Sequence, residues 1–134
     1  DLDIWILKVT NWKRINLKKE NTIQSKSFDF ALGIVRLTKQ LEKDNKEFVL
    51  SKQLLRLDTA IGALIREAEH AESKKDFIHK MSISLKEANE TRYWLDLLRA
   101  SDFIEKPVYK ILNDEITQII RLLASIVKSS KQNI

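Results

Sequence analysis

Residues 50–71 read LSKQLLRLDTAIGALIREAEHA. Leu50, Leu54, Leu57, Ile61, Leu64, Ala68 and Ala71 step alternately by four and three residues. That is a heptad seam, the pattern of a helix packed lengthwise on others in a bundle. The seam predicts a helix over about 48–70. Ala60, Gly62 and Ala63 are small and would let a neighbouring backbone come close. A glycine inside a helix costs about 1 kcal/mol relative to alanine. Close packing at Gly62 is the expected compensation.

Working outward, the pattern repeats. Before the seam, a helix is expected over about 26–44, capped by Ser25 or Ser27 and ended by Asp44-Asn45-Lys46. It carries two adjacent stripes. Phe28, Ala31, Val35, Thr38 and Leu41 form one, and Phe30, Ile34 and Leu37 form the other. After the seam, Ser73 and Asp76 make a capping-box-like start for a helix over about 74–101. Its inner stripe is Phe77, Met81, Leu85, Ala88, Thr91, Leu95 and Leu98. A fourth helix is expected over about 106–130, with Pro107 in its first turn, where a missing N–H costs nothing. Tyr109, Leu112, Ile116, Ile119, Leu123 and Ile126 are its seam. Four helices joined by short polar turns predict an all-α fold, an antiparallel up-down-up-down four-helix bundle.

Composition excludes the main alternatives. The 134 residues include 2 Gly, 1 Pro and no Cys. Average usage would supply about 9 Gly and about 7 Pro. Sandwiches, barrels and doubly wound sheets need more turn residues than that. Gly33 and Gly62 are too far apart for a glycine-rich phosphate loop. Thiol nucleophiles, thiolate zinc sites and disulfides have no cysteine to use. No apolar run approaches the roughly 18 residues of a membrane span. Ile4 to Leu7 is short, and Asp1 and Asp3 precede it where a signal peptide carries positive charge. A cytoplasmic location is the expectation.

Residues 1–24 stand apart as an N-terminal extension, residues 25–131 form the bundle, and 132–134 are a short tail. In the extension, Trp5, Val9, Trp12 and Ile15 fall at helical spacing, whereas Leu2, Ile4 and Ile6 alternate like a strand.

The net charge is +5. Residues 1–26 carry +3, residues 27–105 carry −1 and residues 106–134 carry +3. The excess therefore lies at the two ends. In the fourth helix Lys106, Lys110, Arg121, Lys128 and Lys131 stand against only Asp114 and Glu115. These five cations are the candidate phosphate-binding residues. Lys39, Lys43 and Lys46, and likewise Lys74, Lys75 and Lys80, are interleaved with Glu42, Asp44, Glu47 and Asp76.

Two other chemistries fit less well. Glu67 with His70, and Asp76 with His79, have the carboxylate-x-x-His spacing by which di-iron bundles present ligands. Both pairs flank a turn near residue 72, at the end of the bundle, instead of facing each other at its middle. No metal is expected. Arg66 and His70 have only three residues between them, and no Ser–His–Asp set accompanies them. No catalytic residues, no cofactor and no small-molecule substrate are expected.

Many polar as well as apolar residues agree with one family. They are Lys26-Ser27-Phe28-Asp29-Phe30-Ala31, Ser51-Lys52-Gln53-Leu54-Leu55-Arg56, Thr59, Ile61-Gly62-Ala63, Ile65 and Glu67-Ala68. Ser73-Lys74-Lys75-Asp76-Phe77, Ser82-Ile83-Ser84-Leu85-Lys86-Glu87-Ala88, Glu90-Thr91 and Tyr93-Trp94-Leu95 continue the agreement. From Ser25 to about Lys131 the chain resembles the four-helix-bundle proteins encoded in intervening sequences of 23S ribosomal RNA genes. The resemblance implies an up-down bundle that assembles into a homopentamer, without recognised catalytic residues. Related accessory proteins of diversity-generating retroelements bind nucleic acid and a reverse transcriptase. The functions it suggests are a non-enzymatic oligomer that binds RNA or a ribonucleoprotein, associated with the ribosome, or an adaptor for a protein such as a reverse transcriptase. The chain departs from the family's pattern at four positions. Leu64 stands for an Asn, Ala60 for a Ser, Arg66 for a Glu and Asp58 for a Gly.

Two packing expectations follow. In an antiparallel pair turning near residue 72, Arg56 comes level with Glu87 and should pair with it, as a partly buried ion pair setting register. Leu64 and Ala60 should face apolar neighbours as ordinary core. The surplus of apolar stripes on several helices further predicts self-association, since a soluble monomer rarely leaves such patches bare; cover by the N-terminal extension is the competing explanation.

Overall fold

The structure is a computed structural model that describes residues 22–132. Four helices fill it: α1 Ile23–Asp44, α2 Val49–Glu69, α3 Lys74–Ala100 and α4 Lys106–Gln132. Each packs on the next, and α1 closes against α4. This is the antiparallel four-helix bundle that the seam predicts. The bundle begins at Ile23, inside the expected extension, and α4 runs one residue past the expected boundary. The competing helical and strand spacings of residues 1–21 lie outside the described residues.

The helix ends show which side chains hold the turns. Thr22, not Ser25 or Ser27, caps α1, its hydroxyl accepting from the Ser25 N–H at 3.3 Å. The helix starts earlier than expected because Ile23 is itself a buried core residue. Between α1 and α2 the chain turns through Lys46 at φ 54°. Glu47 then folds its carboxylate over the start of α2. Its Oε1 accepts from Val49 and Leu50 at 3.1 and 3.0 Å, and its Oε2 accepts from Ser51 at 3.0 Å. A negative group on three free N–H donors also suits the positive end of the helix dipole. The α3 start is as expected: Ser73 Oγ accepts from the Asp76 N–H at 3.0 Å. The Asp76 carboxylate reaches back to the Glu72 N–H at 3.2 Å.

The core corrects the stripes. In α1 the buried residues are Ile23, Phe30, Ile34, Leu37 and Leu41, with Ser27, Gly33 and Thr38. The Phe30 stripe thus faces inward, and the Phe28–Ala31–Val35 stripe lies on the flank, with Phe28 45% exposed. In α2 the buried set is Ser51, Leu54, Leu57, Asp58, Ile61, Ile65 and Ala68. Leu64 and Ala60 are only half-buried, and Leu64 stands outside the apolar core cluster. They are not ordinary core as expected. A straight helix drifts about 20° per heptad against a strict seven-residue repeat, so the inward face moves from position 64 to 65. In α3 Met81, Ala88, Thr91, Leu95 and Leu98 are buried as expected, joined by Ile78 and Ser84 in place of Phe77 and Leu85. In α4 the six buried residues are Val108, Leu112, Ile116, Ile119, Leu123 and Val127.

Gly62 is also corrected. Among the described residues a Cβ built there meets nothing within 4 Å, so none of their backbones uses the gap. Without that compensation, the helical cost of glycine stands alone. Gly62→Ala is therefore expected to stabilise the bundle by about 0.5–1 kcal/mol. A higher urea midpoint at unchanged slope checks this, whereas a lower midpoint would reveal a close contact.

Candidate nucleic-acid interface

The amphipathic pattern of α4 positions its cations. Its six buried residues define one face, and the polar positions between them must point away from it. Lys106, Lys110, Arg121, Lys128 and Lys131 are all exposed. At about 100° per residue they fall within an arc of about 80° on the side turned from the core. Along the axis they extend about 38 Å at 1.5 Å per residue. None of the five side chains makes a hydrogen bond or ion pair with another described residue. Asp114 is exposed at the edge of the arc, and half-buried Glu115 lies on a different face. Lys26 of α1 joins the flank of α4, its Nζ donating to Gln118 Oε1 at 2.9 Å. Exposed cations on a rigid helix suit phosphate groups, which position a nucleic acid without reading its sequence.

The α3–α4 seam borders this stripe. Tyr109 Oη donates to Asp96 Oδ1 at 2.5 Å, and an Arg99 guanidinium N–H donates to the Ile104 carbonyl at 3.0 Å. The Asp96 hydrogen bond holds the Tyr109 hydroxyl above its ordinary pKa, with desolvation adding to the rise.

The expected Arg56–Glu87 pair is not formed. Arg56 is exposed and donates Nε and Nη2 to Gln53 Oε1, at 3.3 and 3.2 Å, on its own helix. Glu87 Oε2 is buried without a hydrogen-bond partner among the described residues. Register explains the miss. Ser84 Oγ donates to the Ile61 carbonyl at 3.3 Å, which sets residue 61 level with residue 84. Asp58, not Arg56, is then the inward residue at the level of Glu87. Asp58 is 2% exposed, and its Oδ2 has no hydrogen-bond partner among the described residues. Burial raises its carboxyl pKa to about 7. The amino-acid pattern alone did not single out this group. The available signal was a carboxylate directly beside seam residue Leu57, at a position where the family pattern has glycine.

The two carboxylate–histidine pairs flank the α2–α3 turn. Glu67, His70 and Asp76 line an open depression there with Arg66, Glu72 and Lys80. Asp76 is bonded to Lys80 Nζ at 2.8 Å, which together with the Glu72 N–H holds its carboxyl below the usual range. Among the described residues no group of three or more His, Asp or Glu side chains is placed to hold a metal ion. Nor is any described helix long and apolar enough to cross a membrane.

Fold and surface together define a four-helix bundle with one cationic outer helix. Residues 19–125 match the 23S rRNA-intervening sequence protein family, and the chain belongs to that family. The match starts before Ser25 and stops short of Lys131. A crystal structure of similar fold is that of a protein with unknown function from the S23 ribosomal protein family of Bacteroides thetaiotaomicron VPI-5482. It is 52% identical, with a TM-score of 0.78, and the alignment covers 80% of this chain and 99% of that one. No curated relative matches the chain.

Proposed function

We propose that this protein is a non-enzymatic helical bundle that assembles into a homopentamer and binds RNA or a ribonucleoprotein through the outer face of α4. The observation that carries the reading is the arc of five exposed cations, Lys106, Lys110, Arg121, Lys128 and Lys131, free of ion pairs with other described residues. Membership of the 23S rRNA-intervening sequence family supports ribosomal RNA as the class of target and the cytoplasm as the place of action. Self-assembly draws support from apolar surface outside the core. Phe48 and Val49 are exposed, and the Ala31–Val35 flank of α1 is only half-buried. Repeating a weak cationic stripe around a closed ring raises its avidity for a long polyanion.

The test is fluorescence anisotropy with labelled ribosomal RNA fragments across a salt series, with mass measured by light scattering. Binding should weaken steeply with salt as phosphate contacts release counterions. The triple variant K110E/R121E/K128E is expected to bind more weakly and with a shallower salt slope, reduced by about two on a single strand. Equal binding by the triple variant defeats the α4 assignment. A monomer mass at micromolar protein defeats the ring.

A further inference from the structure

One exposed aromatic stands on α3, the helix that packs against the cationic α4. Lys86, Asn89 and Tyr93 lie at i, i+3 and i+7 on the outer face of α3, so they form one ridge. Tyr93 is 61% exposed. The half-buried ring of Trp94 braces it edge-to-face, with centroids 5.6 Å apart and planes at 76°. The ring is therefore held by a packed neighbour while most of it meets solvent.

The seam between α3 and α4 sets what lies nearby. Tyr109 bonds Asp96, which follows Tyr93 by one turn, and Lys110 directly follows Tyr109. In this antiparallel pair Tyr93 is therefore level with Leu112, about two residues' rise beyond Lys110 and further from Lys106. Arg92 shares this seam, close enough to the Tyr109 hydroxyl for its charge to oppose the rise in that group's pKa. Neither Lys86 nor Arg92 makes a hydrogen bond or ion pair with another described residue. The opposing charges here are half-buried Glu90, one turn before Tyr93, exposed Asp114 of α4, and Asp96, one of whose oxygens the Tyr109 hydroxyl engages.

We propose that Tyr93 is a stacking platform for an unpaired base of single-stranded RNA, whose phosphates are taken by Arg92 of α3 and by Lys106 and Lys110 of α4. Inside a duplex the base faces are covered by their neighbours, and an A-form major groove is closed to side chains. A ring presented on a helix surface accepts a base only where the strand is unstacked, and every base offers such a face. The inference rests on the α4 reading above and adds the conformation of RNA that the surface selects.

Anisotropy titrations with an unstructured single strand and with the duplex made from it test this, using wild type, Tyr93→Ala, Tyr93→Phe and the α4 triple variant. Tyr93→Ala is expected to weaken single-strand binding about tenfold, as loss of one stacked base does. Tyr93→Phe keeps the affinity, because stacking needs the ring and not the hydroxyl. Duplex affinity and salt slope stay at the wild-type values in both variants. Wild-type single-strand affinity in Tyr93→Ala, alongside weakened binding by the triple variant, overturns the platform and leaves the α4 reading standing. Undiminished binding by the triple variant overturns both. A changed mass for Tyr93→Ala in light scattering makes the ring an interface between copies and also overturns the platform.

Discussion

Asp58→Asn is expected to remove most of the pH dependence of this bundle's stability between about pH 4 and pH 7. The carboxyl is 2% exposed, its Oδ2 has no partner among the described residues, and burial raises its pKa from 3.8 to about 7. Below pH 3.8 the group is protonated in both folded and unfolded chains and contributes no pH-dependent penalty. As pH rises, the unfolded chain ionises first while the folded chain must keep the proton or bury a charge. The unfolded state then binds fewer protons, so stability falls with pH until the folded group also ionises near pH 7. A carboxyl displaced this far costs the folded state about 4 kcal/mol once it is ionised in both states. Asparagine keeps the shape and cannot ionise. It leaves a buried amide that costs about 1–3 kcal/mol at every pH. The variant's stability should therefore change far less with pH, and its deficit should shrink or reverse above pH 7. Urea unfolding at a series of pH values measures this. Parallel curves for wild type and variant would show that Asp58 meets solvent or a partner in the folded protein.

The second large effect separates two phenylalanines two residues apart. Phe30 is fully buried at the centre of α1, whereas Phe28 is 45% exposed on the flank. Phe30→Ala removes a core ring and leaves a cavity, a loss of about 3–5 kcal/mol. Phe28→Ala removes surface that is already half in water, and the expected loss is about 1 kcal/mol or less. A larger loss for Phe28→Ala than for Phe30→Ala in urea unfolding would mean that the Phe28 stripe, and not the Phe30 stripe, faces the core.

The helices themselves were legible because their cause is local. The alternation from Leu50 to Ala71, the Ser73–Asp76 start, Pro107 and the scarcity of glycine each act within a few residues. The five cations of α4 were legible for the same reason, since a polar position between seam residues has only the outer face to occupy. Burial of Asp58 was not legible, nor was the inward turn of Phe30. Both depend on which of two adjacent stripes a neighbouring helix covers. That choice is decided by the crossing of whole helices and their drift against the heptad. Arg56 illustrates the size of the error: a register differing by two residues puts a carboxylate where a guanidinium was expected.

The amino-acid order by itself determined the class of fold, the bounds of the helices to within a few residues, the cationic outer face of α4 and the family to which the chain belongs. These follow from periodicity, capping chemistry and motif, which act along the chain. Tertiary structure alone decided which α1 stripe enters the core, that Gly62 faces open space, that Glu47 closes the start of α2, and that Asp58 is buried level with Glu87. Each is a relation between segments whose free energy exists only once the helices have packed.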